Sequence, residues 1–169
     1  MVTNNPARTI KLLIFIGAAG YLLFYFYRAY FYVSTIHPFQ LSLKTLELKN
    51  VSADSILNEK VILIFFQTWC RPCIQEMQLI NKHAEEFNFV KIYFITDESP
   101  EKVKHLLERV QGKNIFVLLS DKALSEIGIT AFPTAYFFKD KKCLEKHKGV
   151  WIDDSNFEDA MYHLRMIFH

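Results

Sequence analysis

The sequence predicts an α/β domain with a mixed central sheet and helices on both faces, preceded by a single transmembrane helix. Three observations predict it. Apolar runs of strand length alternate with segments of helical periodicity and finish in a hairpin and a helix, the pattern of a layered α/β domain. One of those runs, Val61–Phe66 (VILIFF), is apolar without interruption, as a strand buried on both faces has to be. Near the N-terminus, Leu12–Tyr27 carries no charged residue, and Arg28 is the one interruption before the uncharged Ala29–Ile36.

The N-terminal run sets the domain plan: a tail over 1–11, a membrane anchor over 12–36 and a globular domain over 37–169. As a helix, Leu12–Ile36 would span roughly 37 Å at ~1.5 Å per residue, enough for a hydrocarbon core of ~30 Å with some tilt. Arg28 falls in the outer third, within snorkelling distance of the headgroups. Tyr21, Tyr25, Tyr27, Tyr30 and Tyr32 crowd the half where an aromatic belt belongs. A cleaved signal peptide has a shorter apolar core and a small-x-small exit, whereas the exit here, RAYFYVST, is bulky. A buried core helix would show a polar stripe, and this stretch has none. An uncleaved signal-anchor is therefore expected. Arg8, Lys11 and the amino terminus precede the span, which favours the tail inside the cytoplasmic membrane and the domain on its periplasmic or extracytoplasmic side.

Composition narrows the function. A net charge of +2 with no basic stripe gives nucleic acid nothing to bind, and the sequence has no internal repeat or glycine-rich phosphate loop. Three cysteines in 169 residues are too few for a disulfide framework, and the odd number leaves one outside any intramolecular pair. The remaining surface reads as that of a monomer.

Along the globular part, Leu41–Leu48 (LSLKTLEL) alternates as a half-buried strand does, and Val51–Glu59 is a connector with room for one helical turn. After the buried strand, Arg71–Phe87 is helical, with Ile74, Met77, Ile80, His83, Ala84 and Phe87 on one face. Phe89–Thr96 is a strand. Ser99 caps, and Pro100 opens, a helix that ends near Gly112. Ile115–Leu119 is a strand, and Asp121–Gly128 a short helix with a glycine stop. Thr134–Phe138 and Cys143–Val150 form a hairpin across Lys139–Lys142. Ser155 opens the last helix, with Phe157, Ala160, Met161, Leu164 and Ile167 inward.

The chemistry is expected at Cys70-Arg71-Pro72-Cys73, where the buried strand gives way to a helix. Cys70 at the helix start meets unpaired backbone N–H groups and the positive end of the macrodipole, which favour a thiolate. Arg71 adds charge of the same sign, and Pro72 pre-sets φ in a turn that needs no donor. Cys73 lies one turn on, within disulfide reach. Cys70 is then the exposed attacking thiol and Cys73 the buried resolving one. The redox group is this cysteine pair, with no cofactor and no metal.

Phe66-Gln67-Thr68-Trp69-Cys70-Arg71-Pro72-Cys73 resembles the active-site segment of thioredoxin. With Glu76, the run Trp-Cys-x-Pro-Cys-x-x-Glu is similar to the TlpA/ResA branch of membrane-anchored, extracytoplasmic thioredoxin-like proteins, and the resemblance extends from about Leu41 to the C-terminus. It includes Phe132-Pro133-Thr134, where the family carries its cis-proline loop, and the extra helix and strand of Glu101–Leu119. The resemblance implies a thioredoxin-like fold and a thiol–disulfide oxidoreductase that reduces disulfides of extracytoplasmic proteins, as in cytochrome c biogenesis, with electrons from a membrane thiol donor. It implies that Pro133 abuts the cysteine pair, that the Phe132 backbone pairs with a substrate segment, and that Trp69 covers one flank. Thioredoxin's buried Asp is replaced here by Ile64, six before Cys70, as in the TlpA/ResA branch. Its proton handling is expected of Glu76, three residues after Cys73 and anionic.

Other readings of these residues fit less well. Cys143-x-x-x-His147 could complete a zinc site with the first pair, but zinc does not need Trp69 or Pro72, so Cys143 reads as a free thiol. His83, His105 and His163 lie on helices as packing or surface residues, and Asn50-Val51-Ser52 matches a glycosylation sequon that is common by chance. Glu76 could be a solvated first-turn acid. A thiol peroxidase of peroxiredoxin type wants Thr three residues before a peroxidatic cysteine, where Gln67 stands. A non-catalytic thioredoxin-like binding module would not need the cysteine pair.

Overall fold

A computed structural model describes residues 15, 17–23, 41–107, 110 and 112–169. The chain divides into two compact units, Met1–Thr35 and Ile36–His169. In the first, residues 17–23 are helical. Among the described residues no helix is long and apolar enough to cross a membrane. The expected span over 12–36 lies mostly outside the described residues, as does the tail over 1–11.

Among the described residues, the second unit forms a seven-stranded mixed sheet in the order β2-β1-β5-β4-β3-β6-β7. The strands are β1 (Leu43–Lys44), β2 (Asn50–Val51), β3 (Val61–Phe65), β4 (Lys91–Thr96), β5 (Ile115–Ser120), β6 (Thr134–Lys139) and β7 (Lys142–Lys148). The helices are α1 (Ala53–Leu57), α2 (Arg71–Lys82), α3 (Pro100–Leu107) and α4 (Phe157–Ile167), with a 3-10 turn at Ala84–Phe87. Strand β3 is central, parallel to β4 and antiparallel to β6. All five of its residues are buried, as its unbroken apolar sequence requires. Side chains alternate across the sheet, so Ile62 and Ile64 enter one core while Val61, Leu63 and Phe65 enter the other. Helices α2, α3 and α4 contribute Met77, Ile80, Val103, Met161 and Leu164 to the first core. Ile56 and Leu57 of α1 fill the second, together with Leu124, Ile127 and Ile129.

Three elements differ from expectation. The alternating Leu41–Leu48 is not one strand: Leu43–Lys44 pairs with both β2 and β5. The chain then reverses through Leu48, whose N–H donates to Thr45 O and whose φ is 60°. Alternation reports a half-buried extended segment but not where it folds back on itself. Asp121–Gly128 forms no helix. Its backbone makes short turns, Glu126 N to Ala123 O and Gly128 N to Ser125 O, and closes with Ile129 N on Leu124 O. The Leu124 N–H, which a helix would use in its own ladder, goes to the Asp97 carboxylate instead. Finally, α2 stops at Lys82, where His83 leaves helical geometry before the 3-10 turn. Its buried face is Cys73, Glu76, Met77, Leu79 and Ile80, one step round from the expected stripe, and Ile74 is only half-buried.

Candidate active site

The cysteine pair stands where β3 hands over to α2. Cys70 is the N-cap of α2, and its Sγ accepts a 3.3 Å hydrogen bond from Cys73 N. The Cys70 N–H donates to Gln67 O, so the cap is reached through a tight turn. Cys70 and Cys73 are joined as a disulfide. Arg71 and Pro72 form the first turn and are exposed. The expectation of an exposed Cys70 is corrected here: in the disulfide it is 5% exposed, against 1% for Cys73. The two sulfurs differ in the expected order but by little, because both belong to the apolar core under α2.

Trp69 is 73% exposed, and its ring meets Phe132 edge-on at 5.9 Å, within the range of favourable aromatic pairs. Phe132 also packs against the core that holds both cysteines. The Phe132–Pro133 bond is cis. Pro133 O accepts from Gly149 N at 2.8 Å. The Thr134 hydroxyl donates to Ala131 O at 2.7 Å, so this buried side chain is committed to holding the loop. The cysteine turn and the proline loop thus meet through an aromatic pair at one end of the sheet.

Glu76 is not a solvated acid: it is 1% exposed. Its Oε1 accepts a 2.9 Å hydrogen bond from Trp151 N, and the Ile152 backbone N–H also faces the carboxyl, while among the described residues Oε2 makes no close hydrogen bond. It borders a cavity of about 650 Å³ between α2 and the 150–155 loop. Burial pushes its pKa up to about 8, opposed by the Trp151 and Ile152 backbone N–H groups. The carboxyl is therefore neutral at pH 7, which corrects the anionic Glu76 expected from sequence. Trp151 is a partner that the sequence does not announce. The apolar pair Trp151-Ile152 ahead of Asp153-Asp154 marks a buried turn, but nothing local says which side chain it contacts.

Two further residues shape the site and have no motif to announce them. Glu98 accepts from both the backbone N–H and the hydroxyl of Thr68. Asp97 accepts from Gln67 Nε2 and from Leu124 N. The available signal was two acids directly after β4, at the carboxyl end of a parallel strand, where α/β sheets build their sites. Cys143 is a free, half-buried thiol on β7. Burial raises its pKa, partly offset by a hydrogen bond to the Glu145 backbone. Among the described residues no group of three His, Cys, Asp or Glu side chains is placed to hold a metal.

Fold and site together define a thioredoxin-fold protein whose redox group is a Cys-x-x-Cys disulfide at a helix N-terminus. Residues 36–147 match the AhpC/TSA family, and the chain belongs to that family. It is 28% identical to the thiol-disulfide oxidoreductase ResA of Bacillus thuringiensis subsp. konkukian over 155 residues, which cover 84% of this chain and 86% of that protein. It is also 28% identical to the thioredoxin-like protein YneN of Bacillus subtilis over 109 residues, 62% of this chain and 64% of YneN, just under two thirds of that relative's length. Among solved structures, dsbF of MTB superposes with a TM-score of 0.61 at 18% identity, over 75% of this chain and 96% of that one. StoA of Bacillus subtilis gives 0.54 at 18%, over 70% and 93%. These structures share the fold. The chain is an enzyme of the thiol–disulfide oxidoreductase class, and the ResA relatives are consistent with the resemblance to the TlpA/ResA branch.

The buried carboxyl has a consequence for stability. Its folded pKa of about 8 lies above the ordinary 4.5, so between those values the folded state keeps a proton that the unfolded state has lost. Stability therefore falls as pH rises through that window and levels off above it. Glu76→Gln should match the parent protein at pH 4 and exceed it by a few kcal/mol at pH 8. Urea midpoints at both pH values check this, and parallel pH dependences would show that Glu76 does not carry the effect.

Proposed function

We propose that the protein is a membrane-tethered reductase of extracytoplasmic disulfides, drawing its electrons from a membrane thiol donor. Apocytochrome c is the substrate class that the TlpA/ResA resemblance suggests. The observation that carries the reading is the pairing of a capped Cys-x-x-Cys site with a buried, neutral Glu76 one turn further along α2. A peroxidase is a poorer fit: the second cysteine is three residues from the first, and Gln67 occupies the place where that chemistry wants Thr, its amide already donating to Asp97.

The exchange runs as two displacements. The Cys70 thiolate attacks a substrate disulfide, forming a mixed disulfide and releasing one substrate thiolate. Cys73 then loses its proton and attacks Cys70 Sγ, closing the Cys70–Cys73 bond and releasing the second substrate thiolate. Two electrons pass to the substrate, and the donor restores them by the reverse sequence. A carboxyl titrating near 8 is matched to a thiol of ordinary pKa ~8.5, so proton transfer between them is close to thermoneutral. Glu76 serves as the base for Cys73. Resolution of the mixed disulfide should then accelerate with pH up to about 8 and level off. Glu76→Gln should slow it while leaving attack by Cys70 intact. Rapid-quench measurement of both steps checks this, and an unchanged pH profile in the variant would remove Glu76 from proton transfer.

The direction of electron flow rests on how strongly the reduced pair is stabilised. Arg71 and the N-terminus of α2 favour the Cys70 thiolate and push the potential towards oxidants. Burial of Cys73 disfavours a second thiolate and pushes it back, and this part of the balance does not need an anionic Glu76. The midpoint is expected below that of strong periplasmic oxidants, ~−120 mV. Titration against glutathione and dithiothreitol measures it, and a value near those oxidants would reverse the direction.

Tethering is supported by the uncharged 12–27 run and the charges before it, and confinement would raise the effective concentration of donor and domain. Protease added outside intact inner membranes should digest the domain. A fully protected domain would overturn this topology.

A further inference from the structure

At the end of β4, the adjacent carboxylates Asp97 and Glu98 hold the two walls of the site, and neither belongs to the exchange chemistry itself. We propose that this pair is the positioning device of the dithiol: it fixes the Gln67–Thr68 turn, and with it Cys70 Sγ at the N-terminus of α2, against the 124–133 segment that carries the proline loop.

The connections run in both directions. Glu98 takes the backbone N–H and the hydroxyl of Thr68, two residues before Cys70. Its side chain is 9% exposed and has Lys102 as a distant ion partner at 3.9 Å. Its own N–H bonds Thr96 Oγ1 at 3.3 Å, so the carboxylate projects from an anchored backbone. Asp97 uses one oxygen on Gln67 Nε2 and the other on Leu124 N at 2.8 Å. Gln67 in turn gives its carbonyl to Cys70 N. Leu124 is fully buried in the core below the sheet, and its carbonyl accepts from Ile129 N, three residues before Phe132. Both carboxylates therefore bond the cysteine turn, and Asp97 also bonds the segment leading to Phe132–Pro133.

The geometry matters because a helix terminus stabilises a thiolate only within its first turn. A turn released from Glu98 lets the sulfur drift from the orphan N–H groups, which raises the Cys70 thiol pKa towards an ordinary ~8.5. Misplacement of about 1 Å can cost on the order of a hundredfold in rate. Hydrogen bonds to ionised acceptors are also shorter and stronger than neutral ones, so a carboxylate suits this post better than an amide. The inference rests on the exchange activity described above, with Asp97 and Glu98 as positioning residues.

The test uses the full-length protein in detergent and three variants: Glu98→Ala, Glu98→Gln and Thr68→Val. Thiolate absorbance gives the Cys70 pKa, and reduction of a small aromatic disulfide gives the attack rate. Glu98→Ala should raise the pKa and slow attack at least tenfold. Glu98→Gln, which can still accept from Thr68 N and donate to its hydroxyl, should recover most of both. Thr68→Val, which loses only the hydroxyl bond, should shift both in the same direction by less. A merely structural role would lower the melting temperature and leave the pKa unmoved. If Glu98→Ala fails to fold, Thr68→Val decides, and an unshifted pKa there overturns the proposal. Inactive parent protein would instead sink the exchange reading, so the two failures are distinguishable.

Discussion

The register of β3 against its two neighbours is the constraint on which the site depends. Phe65, the last residue of β3, stands opposite Ile95 on one side and Thr134 on the other. The cysteine turn begins just beyond Phe65, the Asp97–Glu98 corner lies just beyond Ile95, and the cis-proline loop leads into Thr134. Three segments distant in sequence thus emerge together at one end of the sheet. A slip of one residue in either pairing would turn Ile62 and Ile64 into the opposite core, so packing on both faces fixes the register and the register assembles the site. Phe66 continues this, bonding Ile95 O through its N–H and standing edge-on to Phe94.

Once the sheet has placed α2, its buried face does more than pack. Cys73, Glu76 and Ile80 share that face, and a carboxyl held among apolar residues is kept neutral by the cost of desolvating its charge. The backbone donors at Trp151 and Ile152 are too weak to reverse this. The fold gives up stability at neutral pH to keep Glu76 there, a trade that is common at functional sites. The same burial separates the cysteines' roles: Cys70 caps the helix beside the exposed Trp69, while Cys73 lies on the inner side.

Local chemistry was legible wherever one segment contained its own cause. The VILIFF run and the Cys-x-x-Cys at a strand-to-helix junction each declare themselves in a few residues, whereas the cis-proline loop at Phe132–Pro133 is expected only from the TlpA/ResA resemblance. Elements whose shape depends on a distant partner did not declare themselves. Leu41–Leu48 alternates like a strand, yet β1 is cut to two residues by its pairing with β2 and β5. Asp121–Gly128 has helical spacing, but its Leu124 N–H is claimed by Asp97, 27 residues away.

The sequence by itself determined the class of fold, the location of the redox pair and the residues at the start of α2, because strand burial, helix initiation and the cysteine spacing are local properties. Only the tertiary structure decided the charge of Glu76, the near-burial of Cys70 and the service of Asp97 and Glu98 to the active-site turn. The reason is physical. A protonation state depends on the solvent excluded by everything packed around a group, and a hydrogen bond across the sheet depends on a register set by two hydrophobic cores at once. Neither quantity exists until the chain has folded.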